Sequence, residues 1–302
     1  MRRWIKTALK GAGALLGLGA LGLGAYVAVQ VRAFDASMDQ VYDVPVPSVA
    51  RSSDADVLAR GKHLAESVAP CAAGACHGSD LAGGETIEMG PVAALTGSNV
   101  TKTIVDYSDG ELARLLHHGI KKDGRSLAFM PVQDFAWLSD DDVAAIVSYL
   151  RTLPVIDKVS APSVIKTLGK VLDRKDQIIF DVARRIDHTS GVRAKGATPT
   201  VEYGRFLAKG CQGCHGDHFS GGPIPGAPSS MPAPLNLTPH ETGLREWSFD
   251  DFNKLLNEGV KKNGKRLDPF MPYASFAKFD DIERRALWSF LQSLPPAPFG
   301  GR

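Results

Sequence analysis

The chain has 302 residues, 44% of them hydrophobic and 23% charged, which excludes a disordered or fibrous protein and leaves room for two ordinary domains. Its formal charge of +2 conceals an uneven distribution. Residues 1–32 carry five bases and no acid, so residues 33–302 are net acidic; that is not the clustered basic face of a nucleic-acid binder.

Residues 11–29, GAGALLGLGALGLGAYVAV, form an uncharged apolar run of the length a helix needs to cross a bilayer. Arg2, Arg3, Lys6 and Lys10 precede it, so the positive-inside tendency holds that end in the cytoplasm and exports the rest. The run exceeds the apolar region of an ordinary signal peptide, and no clear small-residue cleavage site follows. Residues 1–32 are therefore expected to be an uncleaved anchor, with 33–55 as linker.

The remainder repeats at an offset near 140. Gly61-Lys62-His63-Leu64-Ala65 corresponds to Gly204-Arg205-Phe206-Leu207-Ala208, Cys76-His77-Gly78 to Cys214-His215-Gly216, and Asn99-Val100-Thr101 to Asn236-Leu237-Thr238. HGIKKDGRSLAFMP (118–131) then matches EGVKKNGKRLDPFMP (258–272), and SYLRTLP matches SFLQSLP. Order is kept over about a hundred residues per copy, the mark of a duplication. Two domains are expected, 56–154 and 200–296. Apolar spacings of three and four after Ser108, Ser139 and Ser248 predict helices, and no alternating strand stands out, so each domain reads as all-α. Residues 155–199 form a connector with nine bases and five acids. Its stripe Ile165, Leu168, Leu172, Ile178, Val182 and Ile186 predicts an amphipathic helix, with Arg184 and Arg185 as a basic face for anionic lipid or the acidic first domain.

All four cysteines lie in the repeats. Cys211-Gln212-Gly213-Cys214-His215 is C-x-x-C-H, the attachment pattern of c-type haem: two thiols add to the two vinyl groups of one porphyrin edge, and the adjacent histidine is carried under the iron. A disulfide, half a zinc site or a redox dithiol would use the cysteines but has no need of that histidine. The first copy, Cys71-Ala72-Ala73-Gly74-Ala75-Cys76-His77, is two residues longer between the thiols. Its small residues allow the spacer to bulge while both sulfurs reach a haem; a single thioether through Cys76, a Cys71–Cys76 disulfide and an empty site are the alternatives. Opposite the histidines, a thioether is the usual partner. Met130 and Met271 follow His77 and His215 by 53 and 56 residues, each before proline. Met89 and Met231 are the second choice.

With these motifs in hand, both modules resemble class I cytochrome c domains, and the pair is similar to the cytochrome c subunits of membrane-bound bacterial alcohol, gluconate and sugar dehydrogenases. Cys214-His215-Gly216, Asn236-Leu237-Thr238-Pro239, Trp247-Ser248 and Met271-Pro272 carry the likeness. Those subunits commonly have three haems, whereas two motifs stand here. The resemblance implies two covalently bound haems and single-electron transfer in a periplasmic respiratory or dehydrogenase-linked chain. The chain would sit in a bacterial inner membrane by a single pass, with its haem domains in the periplasm. A dehydrogenase, a quinol-oxidising complex or a terminal oxidase would be its redox partner. The rival reading is a dihaem enzyme, a peroxidase or thiosulfate-oxidising cytochrome, with one open haem site. Tyr107 and Trp247, with Arg125 and Lys265, are candidate propionate neighbours, and His63, His117, His118, His218 and His240 are expected at the surface.

Overall fold

The computed structural model describes residues 2–74, 76–189, 191, 193–194, 196–224, 231–268 and 270–302. It opens with α1 (Arg2–Asp39), followed by α2 (Ala55–Glu66), strands β1 (Thr86–Glu88) and β2 (Ala93–Thr96), α3 (Val100–Thr103), α4 (Asp109–His118) and α5 (Asp140–Leu150). Strand β3 (Val164–Ile165) and α6 (Thr167–Arg174) lie in the connector. The second module contains α7 (Val201–Leu207), α8 (Lys209–His215), α9 (Phe249–Glu258), α10 (Tyr273–Phe276) and α11 (Asp281–Ser293).

At about 1.5 Å per residue, the 38 residues of α1 span roughly 57 Å, well beyond the ~30 Å of a hydrocarbon layer. The helix does not stop at residue 32: its end is pinned to the folded body. Phe34 is buried with Ala93, Leu95 and Phe180, and the linker then follows the first module, where Val41 bridges to Arg125.

The duplication is visible as matched packing. In each copy the first helix crosses the last, α2 on α5 and α7 on α11, and a glycine makes the crossing possible. A Cβ on Gly61 would overlap the carbonyl of Ala145, and one on Gly204 that of Ala286. Helix propensity alone favours Gly204→Ala by about 1 kcal/mol, but the clash is with backbone and an overpacked core loses about 1–3 kcal/mol. A net destabilisation is expected, read as a lower urea midpoint.

The helix starts predicted from Ser108, Ser139 and Ser248 are real caps. Ser108 with Glu111 and Ser248 with Asp251 form reciprocal capping boxes, and Gly119 and Gly259 close those helices, both at φ 66°. The expectation of helices alone needs one amendment. An antiparallel sheet, ordered β1-β2-β3, joins residues 86–96 to the connector. Its strands are too short for an alternating pattern to register, and it backs the small core around Phe34.

The long connector helix is also shortened, to α6. The buried Asp173 carboxylate accepts N–H bonds from Phe180 (2.7 Å) and Asp181 (3.0 Å), and Asp176 turns the chain at φ 60°. Arg184 and Arg185 do not form a free basic face: Arg184 is paired with Asp173, Asp176 and Asp181, and Arg185 with Asp176.

The two modules share one continuous apolar core. Trp137 stacks on Phe206 with ring centres 5.1 Å apart, and the turn Val132–Asp134 packs against α8. Beside this contact the guanidinium of Arg60 reaches Asp142 (3.0 Å) and Glu283 (3.3 Å), and His63 Nε2 lies 2.9 Å from Glu283.

Candidate haem sites

Helix α8 is a short turn whose purpose is local geometry. Residues three and four apart share a helix face, so Cys211, Cys214 and His215 are presented together. Gly216 ends the helix at φ 82°. The three residues line an apolar cavity, the kind of lining that ligand and cofactor pockets have. Met271 lies on the same wall, with Leu237, Leu255, Leu256 and Phe270. The structure thus gathers Cys211, Cys214, His215 and Met271 around one space.

The imidazoles are held alike in both modules. His215 Nδ1–H donates to the carbonyl of Leu235 (2.7 Å), and His77 Nδ1–H donates to that of Ser98 (2.8 Å). A carbonyl can only accept, so Nδ1 carries the proton and Nε2 keeps its lone pair, the arrangement of a metal-ligating histidine. Burial lowers both imidazoles' pKa values, partly opposed by these hydrogen bonds, and so favours the neutral ligand form.

The methionines share a backbone device as well. Val132 N–H bonds to Met130 O (2.8 Å), and Tyr273 N–H to Met271 O (2.7 Å). The intervening prolines have φ −78° with ψ 59° (Pro131) and ψ 52° (Pro272), the values of an inverse γ-turn. This explains why each methionine precedes proline: the fixed ring torsion sets the turn that holds the thioether side chain. Met130 is half-buried against the first module's core, as is Cys71. Met89 instead packs with the Phe34 cluster, and Met231 lies outside the cavity wall.

In the first module residues 71–74 and 76–77 form turns rather than a helix. His77 N–H bonds to Cys71 O (3.1 Å), closing the longer spacer on itself, while Cys76 N–H bonds to Ala73 O (2.9 Å). All four thiols are free. Cys71 and Cys211 are pushed up to about 12 by burial, and Cys76 and Cys214 are raised for the same first reason. Zinc ligation and disulfide exchange both need a thiolate, which these apolar surroundings oppose. Addition to a porphyrin vinyl group leaves a neutral thioether, which they suit.

This donor set, two thiols and an Nδ1-anchored imidazole beside an apolar cavity that also bears a thioether, fits a c-type haem. A model of the cytochrome c family matches residues 58–154 and again 201–295. The chain belongs to the cytochrome c family. It is similar to the cytochrome c subunit of gluconate 2-dehydrogenase from Pantoea cypripedii, with 38% identity over 97 residues, covering 30% of this chain and 22% of that one. Over longer stretches it is 26% identical to the cytochrome c subunit of alcohol dehydrogenase (quinone) from Gluconacetobacter polyoxogenes, covering 83% of this chain and 59% of that one. The fructose dehydrogenase cytochrome subunit of Gluconobacter japonicus is also 26% identical, over 85% and 57%. The chain thus spans between about a fifth and three fifths of these relatives' lengths.

Some expectations for the cytochrome's other residues change. Arg125 reaches Asp39 at the end of α1 (3.4 Å). His117 is buried, donating from Nδ1 to Ala136 O (3.0 Å), and His63 lies against the second module instead of at a free surface. Sequence reasoning also missed what Asn99 and Asn236 do, although their repetition marked them. Each clamps the loop after its histidine to the chain beyond the last helix, Asn99 through Ile156 O and Lys158 O and Asn236 through Ala297 O.

Proposed function

We propose that this cytochrome c is a membrane-anchored dihaem electron carrier serving a dehydrogenase. One haem would be attached through Cys71 and Cys76 with His77 and Met130 as iron ligands, the other through Cys211 and Cys214 with His215 and Met271. The modules would be 56–154 and 200–296, predominantly helical, joined by the 155–199 connector and preceded by the 1–32 anchor and the 33–55 linker. The observation that carries this reading is the gathering of Cys211, Cys214, His215 and Met271 around one apolar cavity, with the His215 anchoring repeated at His77.

When bound, the haem supplies a reversible one-electron couple; the chain's own residues set its terms. Histidine and methionine as the two ligands raise the potential, and the apolar wall keeps water away. Held by a histidine and a methionine in each module, the haems would have no position left for a substrate, which favours electron transfer over direct chemistry.

The relatives named for gluconate, alcohol and fructose oxidation support a dehydrogenase as electron donor, ahead of a quinol-oxidising complex or terminal oxidase. The apolar helix covering Lys10–Asp39 supports single-pass anchoring in a bacterial inner membrane, with the modules on the periplasmic side. A haemochrome assay combined with intact mass tests the assignment. Two haems per chain are expected; one would overturn the reading of the longer first motif.

A further inference from the structure

The folded body touches α1 earlier than a tether requires. Val27, Gln30, Val31, Phe34 and Met38, spaced by three or four, form a face that is partly or wholly covered, and it begins inside the apolar run, two residues before Val29. What covers this end is α6, descending toward the membrane side. Lys170, near its middle, pairs with Asp35 and lies over the Phe34 ring, whereas Lys175, just past its C-terminus, lies 5.3 Å from the centre of the Tyr26 ring. Tyr26 is eight residues, or about 12 Å, nearer the cytoplasmic end than Phe34. If α1 spans a bilayer, as proposed above, Tyr26 lies within a turn of the apolar boundary, where tyrosine side chains concentrate.

We propose that the tip of α6 beside α1 is a binding site for the headgroups of anionic phospholipid. Arg32, Arg174 and Lys175 supply the charge. None of the three has an ion-pair partner among the described residues, and Lys175 and Arg32 are exposed. The carboxylates of the same turn are already committed: Asp173 is buried and paired with Arg184, Asp176 holds Arg184 and Arg185, and Asp35 holds Lys170. A local surplus of cations therefore faces the phosphate layer, beside a tyrosine whose ring can sit at the apolar boundary. Neutral lipid offers no net charge to meet that surplus, whereas phosphatidylglycerol does. The contact would also fix how the first module stands on the membrane, because α6 is joined to it through β3 and the buried Phe180.

The test uses the full-length haem-loaded protein in vesicles of phosphatidylcholine, with or without phosphatidylglycerol. Flotation after an alkaline wash reports insertion, and native mass spectrometry after mild detergent transfer reports which lipid stays bound. The unaltered protein should insert in both vesicles and retain phosphatidylglycerol preferentially. Arg174→Gln and Lys175→Gln should each lower that preference about fivefold while insertion is unchanged. Equal retention of the two lipids by the unaltered protein, or a preference untouched in the double variant, would overturn the site while leaving the anchor standing. Release by the alkaline wash would overturn the anchor reading and the lipid site with it.

Discussion

Replacing Met271 with alanine is expected to turn the second haem from low-spin to high-spin, open it to carbon monoxide and lower its potential. The drop should be a sizeable fraction of the roughly 0.8 V over which axial ligands tune haem. The expectation follows from the cavity wall. Among the described residues, besides Cys211, Cys214 and His215 of the haem motif, the wall's other side chains able to donate to iron are Met271, Lys261 and Asp268. Lys261 is the donor best placed by chemistry to replace a lost thioether, so Met271→Ala with Lys261→Ala separates an open site from a substituted one. Met231→Ala is the control, since that side chain lies outside the wall. Absorption and magnetic circular dichroism read the spin state directly. An unchanged low-spin spectrum in the Met271→Ala, Lys261→Ala double variant would mean that another residue completes the coordination.

The residues gathered around the candidate haem cavity were legible in the sequence. Covalent haem attachment would require two thiols and an imidazole at nearby sequence positions, and duplication wrote the same pattern twice, so an isolated Met-Pro became an aligned pair. The strand pairing of β1 with β2, and of Ala93–Ala94 with Val164–Ile165, was not legible, because strands of two to four residues carry no usable period. The connector's apolar stripe misled for a related reason. Helix and turn can bury the same residues, and the deciding group was Asp173, whose carboxylate takes two backbone N–H bonds and ends the helix there. The end of α1 escaped notice because its last ten residues look polar enough for a linker, and the burial of Phe34 depends on a partner about 146 residues away, Phe180.

Least legible was the joint between the modules, and it yields the other large effect. Replacing Glu283 with alanine should cost about 3 kcal/mol and loosen the two modules from one another. Glu283 is fully buried, takes Arg60 and His63 from the first module, and accepts the N–H of Asp280 at the start of its own helix (3.0 Å). Breaking a buried pair from one side costs about 3–5 kcal/mol; the low end applies because Arg60 keeps Asp142 and a quarter of its side-chain exposure. The joint also has the logic of a duplicated surface. Asp142 and Glu283 are each the third residue of their modules' last helices, Arg60 and Tyr203 each precede the crossing glycine, and Arg60 Nη2 lies 3.4 Å from the Tyr203 hydroxyl. Equivalent positions meeting one another is the pattern of a two-fold dimer interface, here within one chain.

His63 breaks that symmetry, since its counterpart is Phe206, and it makes the joint sensitive to pH. The hydrogen bond to Glu283 raises the imidazole's pKa above its ordinary value, against the opposing effect of burial. A raised folded-state pKa means that protonated His63 contributes its full stabilisation below the unfolded value of about 6.5 and loses it as pH rises through the higher folded value. Thermal unfolding of the haem-loaded protein should therefore show a downward step in stability above about pH 6.5. Glu283→Gln preserves the shape of the carboxylate but removes its charge, and should flatten that step, as should His63→Phe, which restores the residue of the other repeat. A step that survives in both variants would place the titrating group elsewhere. If Glu283→Ala left the unfolding free energy within about 0.5 kcal/mol of the unaltered protein, the surface-residue range, the buried carboxylate would not be holding the modules together.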